Sequence, residues 1–143
     1  MEKHRCGWCK GDALYEKYHD EEWGVPIKED DLLFEFLILE TFQAGLSWIT
    51  ILRKRENFRQ AFDHFDYKKI ANYGEPKIDS LLQDAGIIRN KLKIRATVTN
   101  AQAYIAIQKE FGSFSNYIWA FVDGQPIKND HWDYKKAPAH THL

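Results

Sequence analysis

Chemistry in this chain starts with a carboxylate. Glu40 falls at helical spacing with Leu33, Phe36, Leu37 and Ala44, so the pattern puts an acid on an apolar stripe. Such a group is expensive to bury unpaired. Either a nearby arginine neutralises it, or it stands at the floor of a cavity kept for a ligand. Its surroundings favour the cavity. Gln43, Ser47 and Trp48 follow closely, and Tyr15, Tyr18 and Trp23 crowd the preceding helix. Rings at helical spacing usually build core, but Tyr and Trp carry polar handles that a dry core must satisfy. Stacking one base on such a ring is worth about 1–3 kcal/mol. An acidic acceptor among flat rings suits a planar, amine-bearing or cationic heterocycle.

A second group lies further along. Leu81-Leu-Gln-Asp-Ala-Gly86, then Ile87-Ile-Arg-Asn90, then Lys91-Leu-Lys-Ile-Arg95 reads as helix, tight turn, helix. Gly86 permits positive φ, and the amides that open the second helix point outward. With the helix dipole they form an anion site suited to a DNA phosphate. Arg89, Lys91, Lys93 and Arg95 crowd that end, where cations are unfavourable unless an anion arrives. Arg53-Lys-Arg55 with Arg59 reads instead as a solvated helix face.

Cys6-Gly-Trp-Cys9 is a C-x2-C knuckle, half of a zinc site, with His19 and His4 nearby. His131, His140 and His142 are available further on, in an irregular tail. Spacing alone leaves metal binding and bystander thiols equally open.

The elements that must position these groups are helical almost throughout. Asp12 caps a helix over Ala13–Glu22, stopped by Gly24 and Pro26. Asp30 or Asp31 opens an apolar helix to about Ala44, with Gly45 as its stop. Ser47 caps Trp48–Phe62. Asp66 begins a short helix ending near Gly74, and Pro76 begins another over Lys77–Ala85, closed by Gly86. A long helix covers about Lys91–Phe111, with Ile94, Val98, Ala101 and Ile105 on one face. Ser113 caps the last, to about Val122. Gln125–Leu143 is irregular. No segment alternates like a strand, so the expected class is all-α.

At 143 residues the chain has the size of one domain, and no linker or repeat interrupts it. A net charge of −1 excludes a broadly basic coat, though not a local basic patch. No apolar stretch is long enough to cross a bilayer, and the first residues do not read as a signal peptide. With two closely spaced cysteines and no disulfide framework, the expected compartment is the cytoplasm.

Several of these segments match a known family. Cys6-Gly-Trp8, Tyr15-Glu-Lys-Tyr18-His-Asp-Glu-Glu-Trp-Gly-Val-Pro26, Leu39-Glu40-Thr-Phe-Gln-Ala-Gly-Leu-Ser-Trp-Ile49, Lys54-Arg-Glu-Asn-Phe58 and Asp84-Ala-Gly-Ile-Ile-Arg89 resemble the 3-methyladenine DNA glycosylase I family, over nearly the whole chain. The resemblance implies a helix-hairpin-helix glycosylase fold. It also implies hydrolysis of the N-glycosidic bond of 3-methyladenine in alkylated DNA, within base excision repair. By position, Glu40 matches the catalytic-site carboxylate that contacts the extruded base, and Trp48 the stacking indole. Tyr15 and Tyr18 match the phenols lining the pocket, and Trp8 and Trp23 its flanking indoles. Gly86, Arg89, Lys91 and Lys93 occupy the phosphate-binding hairpin. Cys6 and His19 match the first two ligands of a structural zinc. The family's other two ligands lie in a C-terminal helical segment beyond the position of Leu143, so the expectation is one glycosylase domain, 1–143, without that segment and with an incomplete zinc set. Alkylated double-stranded DNA is the expected partner and free 3-methyladenine the product, with no membrane involved and the chain acting as a monomer. A non-catalytic DNA- or base-binding module is the alternative, and a zinc-stapled structural domain a third reading.

Overall fold

The computed structural model describes residues 4–129 and 134–142, and among them every regular element is helical. The helices are α1 (Ala13–Glu21), α2 (Asp30–Gln43), α3 (Trp48–Ala61), α4 (Tyr67–Ile70), α5 (Glu75–Leu82), α6 (Lys91–Phe111) and α7 (Phe114–Ala120). Short 3-10 turns occur at Gly7–Cys9, Asp63–Phe65 and Tyr134–Lys136. None of the described helices is long and apolar enough to cross a membrane. His131 lies outside the described residues, while His140 and His142 are exposed.

The chain forms two compact units. One is the continuous segment Ile27–Tyr117; the other combines Met1–Pro26 with Ile118–Leu143. In the larger unit, α2 runs through the core: Phe34, Ile38, Leu39 and Phe42 are fully buried beside Ile51, Phe58 and Phe62 of the α3 region. From α6, Ile94, Ala101 and Tyr104 complete that core. The buried side of α2 is therefore not the stripe through Leu33, Phe36, Leu37 and Glu40. This helix is apolar nearly all round, so periodicity did not select a face.

Local chemistry explains most boundaries. The carboxylates of Asp12 and Asp66 accept from the opening amides of α1 and α4, and Asn90 accepts from Lys93 N at α6. Asp30, the first residue of α2, caps a different helix. Its carboxylate accepts from the amides of Phe114 and Ser115 at 2.9 Å each, and from Gln108 at 2.8 Å. Ser113 Oγ takes the amide of Asn116, as expected. Ser47 does not cap α3 with its side chain; its hydroxyl pairs with that of Thr50. The helix expected over Lys77–Ala85 stops at Leu82, and Gly86 does not adopt positive φ. Asp63, His64 and Phe65 form a left-handed turn, with φ of 52°, 55° and 57°. The hydroxyl of Tyr73 donates to Asp63 Oδ2 in that turn.

Candidate active site

Two glutamates on α2 divide the roles that sequence left open for one. Glu35 is buried, 6% exposed, and its carboxylate accepts from Arg59 Nε at 2.6 Å, Arg59 Nη2 at 3.1 Å and Arg55 Nη2 at 2.7 Å. Burial pushes this carboxyl up, but the hydrogen bonds from Arg59 and Arg55 outweigh it and hold it below the ordinary range. Arg55 and Arg59 are thus not a solvated face: they are the counter-charges that an acid on the core side of α2 requires.

Glu40 is different. Its side chain is exposed and meets no arginine; among the described residues no hydrogen bond or ion pair engages it. Partial desolvation alone raises its carboxyl above the usual range. It therefore stands as an acceptor without an internal donor, on the last turns of α2. Beyond it the chain leaves the helix at Ala44, turns through Gly45 at φ +79° and starts α3 at Trp48. Glycine fits that turn because other residues disfavour a left-handed backbone. Gln43 braces it, its Nε2 donating to Leu46 O at 2.7 Å while Leu46 N returns to Gln43 O at 2.7 Å. Trp48 is half-buried against the core, so Glu40 and Trp48 bracket one braced turn.

The other rings gather in the smaller unit. Trp8, on the Gly7–Cys9 turn, is their hub: ring centroids lie 4.9 Å from Tyr15, 6.4 Å from Tyr18 and 5.5 Å from Trp23. His19 meets Trp8 edge-on at 5.3 Å and stacks on Trp23 at 5.4 Å and 16°. Tyr15, Tyr18 and His19 come together because they are spaced by three and four residues on α1. Burial raises the Tyr15 phenol, which keeps it a protonated donor. Trp23 remains 48% exposed, with an indole face open to solvent.

His19 is held by two partners. Its Nδ1 lies 3.0 Å from Asp20 Oδ1, and its Nε2 accepts from the backbone amide of Cys6 at 3.4 Å. Arg5 in turn clamps Asp20, with its closest contact at 2.8 Å. Cys9 is buried, and its thiol donates to Cys6 O. A carboxylate on Nδ1 makes Nε2 the nitrogen that would coordinate, and thiol plus imidazole suits zinc, but here the Nε2 lone pair takes the Cys6 amide, which a metal would have to displace. Yet among the described residues no three His, Cys, Asp or Glu side chains converge as a metal site. Cys6 and His19 would supply two of the four donors that a tetrahedral zinc takes. The orienting role of Asp20 went unremarked in the sequence, although its adjacency to His19 was the available signal.

The hairpin between α5 and α6 is anchored by Ile87, 3% exposed. Space at Gly86 is tight. A Cβ would approach Asp84 Oδ1 to 3.0 Å and the Asn57 side chain to 3.1 Å, while Gly86 N donates to Asp84 Oδ1 at 2.8 Å. Of the four cations, two have partners, one at the surface and one on α2. Arg95 pairs with Glu75 at 2.8 Å, and Lys93 Nζ donates to Phe42 O at 2.8 Å and Ala44 O at 2.7 Å. Arg89 and Lys91 are exposed, with no partner among the described residues. They flank an α6 N-terminus where Asn90 satisfies the amide of Lys93 and earlier amides have no intrahelical acceptor.

Comparison with known proteins identifies the family. The family model described as methyladenine glycosylase matches residues 8–143. The chain is 50% identical over 137 residues to DNA-3-methyladenine glycosylase 1 of Escherichia coli, covering 96% of this chain and 73% of that protein. A crystal structure of a 3-methyladenine DNA glycosylase I superposes with a TM-score of 0.93 at 47% identity, covering 97% of this chain and 76% of the other. A structure reporting 3-methyladenine recognition by the Staphylococcus aureus glycosylase gives 0.82 at 40% identity, over 85% of this chain and 64% of that one. With the carboxylate, rings and hairpin all present in a chain so matched, the protein belongs to the methyladenine glycosylase family.

Proposed function

We propose that this protein is a DNA-3-methyladenine glycosylase, which hydrolyses the N-glycosidic bond of 3-methyladenine in alkylated double-stranded DNA and releases the free base. The observation that carries the proposal is the carboxylate of Glu40, exposed and claimed by no internal cation. Within a stacked duplex the damaged base is out of reach, so its nucleotide must be extruded at a cost of a few kcal/mol. Methylation at N3 makes the base cationic and a good leaving group. Glu40 accepts from the exocyclic amine and favours the electron-poor ring over ordinary adenine. An anion beside a cation stabilises the ground state too, so Glu40 contributes to selectivity more than to rate. Trp48 in the larger unit offers a ring face of the kind a flat base uses, and Tyr15, Tyr18, Trp8 and Trp23 in the smaller unit offer ring faces and phenolic donors of the same kind. Gly86, Arg89 and Lys91 hold the DNA phosphates, as a helix-hairpin-helix element does.

Cys6 and His19 are proposed as two ligands of a structural zinc, supported by their soft donors and by Asp20 on Nδ1. Bound there, zinc would fasten the N-terminal turn to α1; it enters no step of the hydrolysis. Metal content of the purified protein, with and without Cys6→Ser, reads this assignment. Free cysteines and a DNA substrate support a cytoplasmic location, and the chain is proposed to act as a monomer.

The test is release of free base from alkylated duplex DNA. Wild type releases 3-methyladenine, and a folded Glu40→Ala variant loses its preference for the methylated base. Equal excision by the two proteins removes Glu40 from the site. No release by wild type turns the reading into a binding module.

A further inference from the structure

The cations at the hairpin are not equivalent, and Lys93 stands apart. Sequence places it with Arg89 and Lys91 at an anion site, yet its ammonium reaches back to α2, to Phe42 O at 2.8 Å and Ala44 O at 2.7 Å. The C-terminal turn of α2 carries no basic residue of its own, and Ala44 already has extended backbone angles (φ −52°, ψ 121°). Carbonyls at such an end lack intrahelical donors, and a cation there also complements the helix dipole. Lys93 is itself well fixed: its amide donates to Asn90 Oδ1 at 3.0 Å, and its carbonyl accepts from Thr97 Oγ1 at 2.8 Å.

What Lys93 grips is the turn between Glu40 and Trp48. Gly45 gives that turn backbone freedom, and the other brace recorded across it is the Gln43–Leu46 exchange at 2.7 Å in each direction. We propose that Lys93 is a positioning residue: from the start of the hairpin helix it holds the end of α2, and so fixes where the Glu40 carboxylate and the Trp48 indole stand when the hairpin is seated on DNA. Its part in excision rests on the glycosylase reading; its grip on the turn does not. Lys93 thereby joins the DNA-holding element to the base-reading residues within one unit of the molecule.

The experiment compares Lys93→Met with Lys91→Gln in the full chain. For Lys93→Met, single-turnover excision of 3-methyladenine from saturating alkylated duplex falls about 10- to 100-fold, the range expected when reacting groups shift by about 1 Å. Its affinity for undamaged duplex, and the dependence of that affinity on salt, match wild type. Lys91→Gln shows instead a salt slope shallower by about one. Amide hydrogen exchange of residues 45–50, measured well below the melting temperature, accelerates in Lys93→Met and not in Lys91→Gln. A Lys93→Met protein with a shallower salt slope and normal excision from bound DNA makes Lys93 a phosphate contact and overturns the proposal; so does unchanged exchange at 45–50. Should Lys93→Met fail to fold, Lys93→Gln, which puts a neutral amide on a shorter stem in place of the ammonium, carries the same comparison. Wild type without excision removes the glycosylase reading alone, because exchange and salt slope are read without turnover.

Discussion

Glu35 and Glu40 are one chemical group in two environments on the same helix, and each predicts its own response to substitution. Glu35 is buried between Arg55 and Arg59. Glu35→Ala removes the carboxylate that Arg55, 11% exposed, shares with Arg59. The expected loss is about 3 kcal/mol of unfolding free energy, at the low end for a broken buried pair because Arg59 is 35% exposed. Urea denaturation measures it as a shift in midpoint. Glu40→Gln moves the other way. Desolvation raises the Glu40 carboxyl, so its charged form is less favourable in the native state than in the unfolded chain. The native protein gives up that stability as pH rises through the raised value. At neutral pH the glutamine variant therefore melts higher than wild type, and the gain disappears once the medium is acidic enough to protonate Glu40. Its selectivity for the methylated base falls at the same time. A variant that melts lower at neutral pH contradicts the raised carboxyl.

At the level of elements, Asp30 is the clearest case. It begins α2 but serves α7, and its carboxyl sits below the ordinary range although burial pushes it up, because Gln108 and the amides of Phe114 and Ser115 donate to it. A lowered native pKa gives stability that is present above the unfolded value and is lost as pH falls through the native one. Melting temperature should drop on acidification from about pH 6 to about pH 3, and Asp30→Asn should flatten that limb while lowering the neutral plateau. An unchanged acid limb would count against this cap. The helices themselves were legible because their stops and caps are local: Asp12, Asp66 and Ser113 act where the sequence put them. The face of α2 was not legible, since apolar residues surround it and only the packing of α3 and α6 chooses a side. The left-handed turn at Asp63–Phe65 contains no glycine to announce it. Gly86 drew the right attention for the wrong cause: it answers to crowding by Asp84 and Asn57, partners that only the folded chain supplies. Lys93 likewise depends on carbonyls about fifty positions away.

For the molecule as a whole, charge is the governing quantity. A net charge of −1 supplies no general attraction to DNA, so binding must come from few contacts at a defined place. With Arg95 on Glu75 and Lys93 on α2, Arg89 and Lys91 are the hairpin cations left for phosphates. Replacing both with Gln should reduce the slope of log affinity against log salt by about two, equally for damaged and undamaged duplex. A preserved slope would move the phosphate clamp elsewhere. That this charge is local could be read from composition; which cations remain available could not, because that depends on tertiary pairing.

The smaller unit combines Met1–Pro26 with Ile118–Leu143, while the larger is the continuous segment Ile27–Tyr117. During synthesis, which runs from the amino end, Ile27–Tyr117 is complete and free to collapse as soon as it clears the ribosome. The leading segment emerges before it, and the ring contacts of Trp8 with Tyr15, Tyr18, His19 and Trp23 all lie within that segment. Its indoles therefore leave the ribosome first and stay within reach of chaperones while the larger core is still being made.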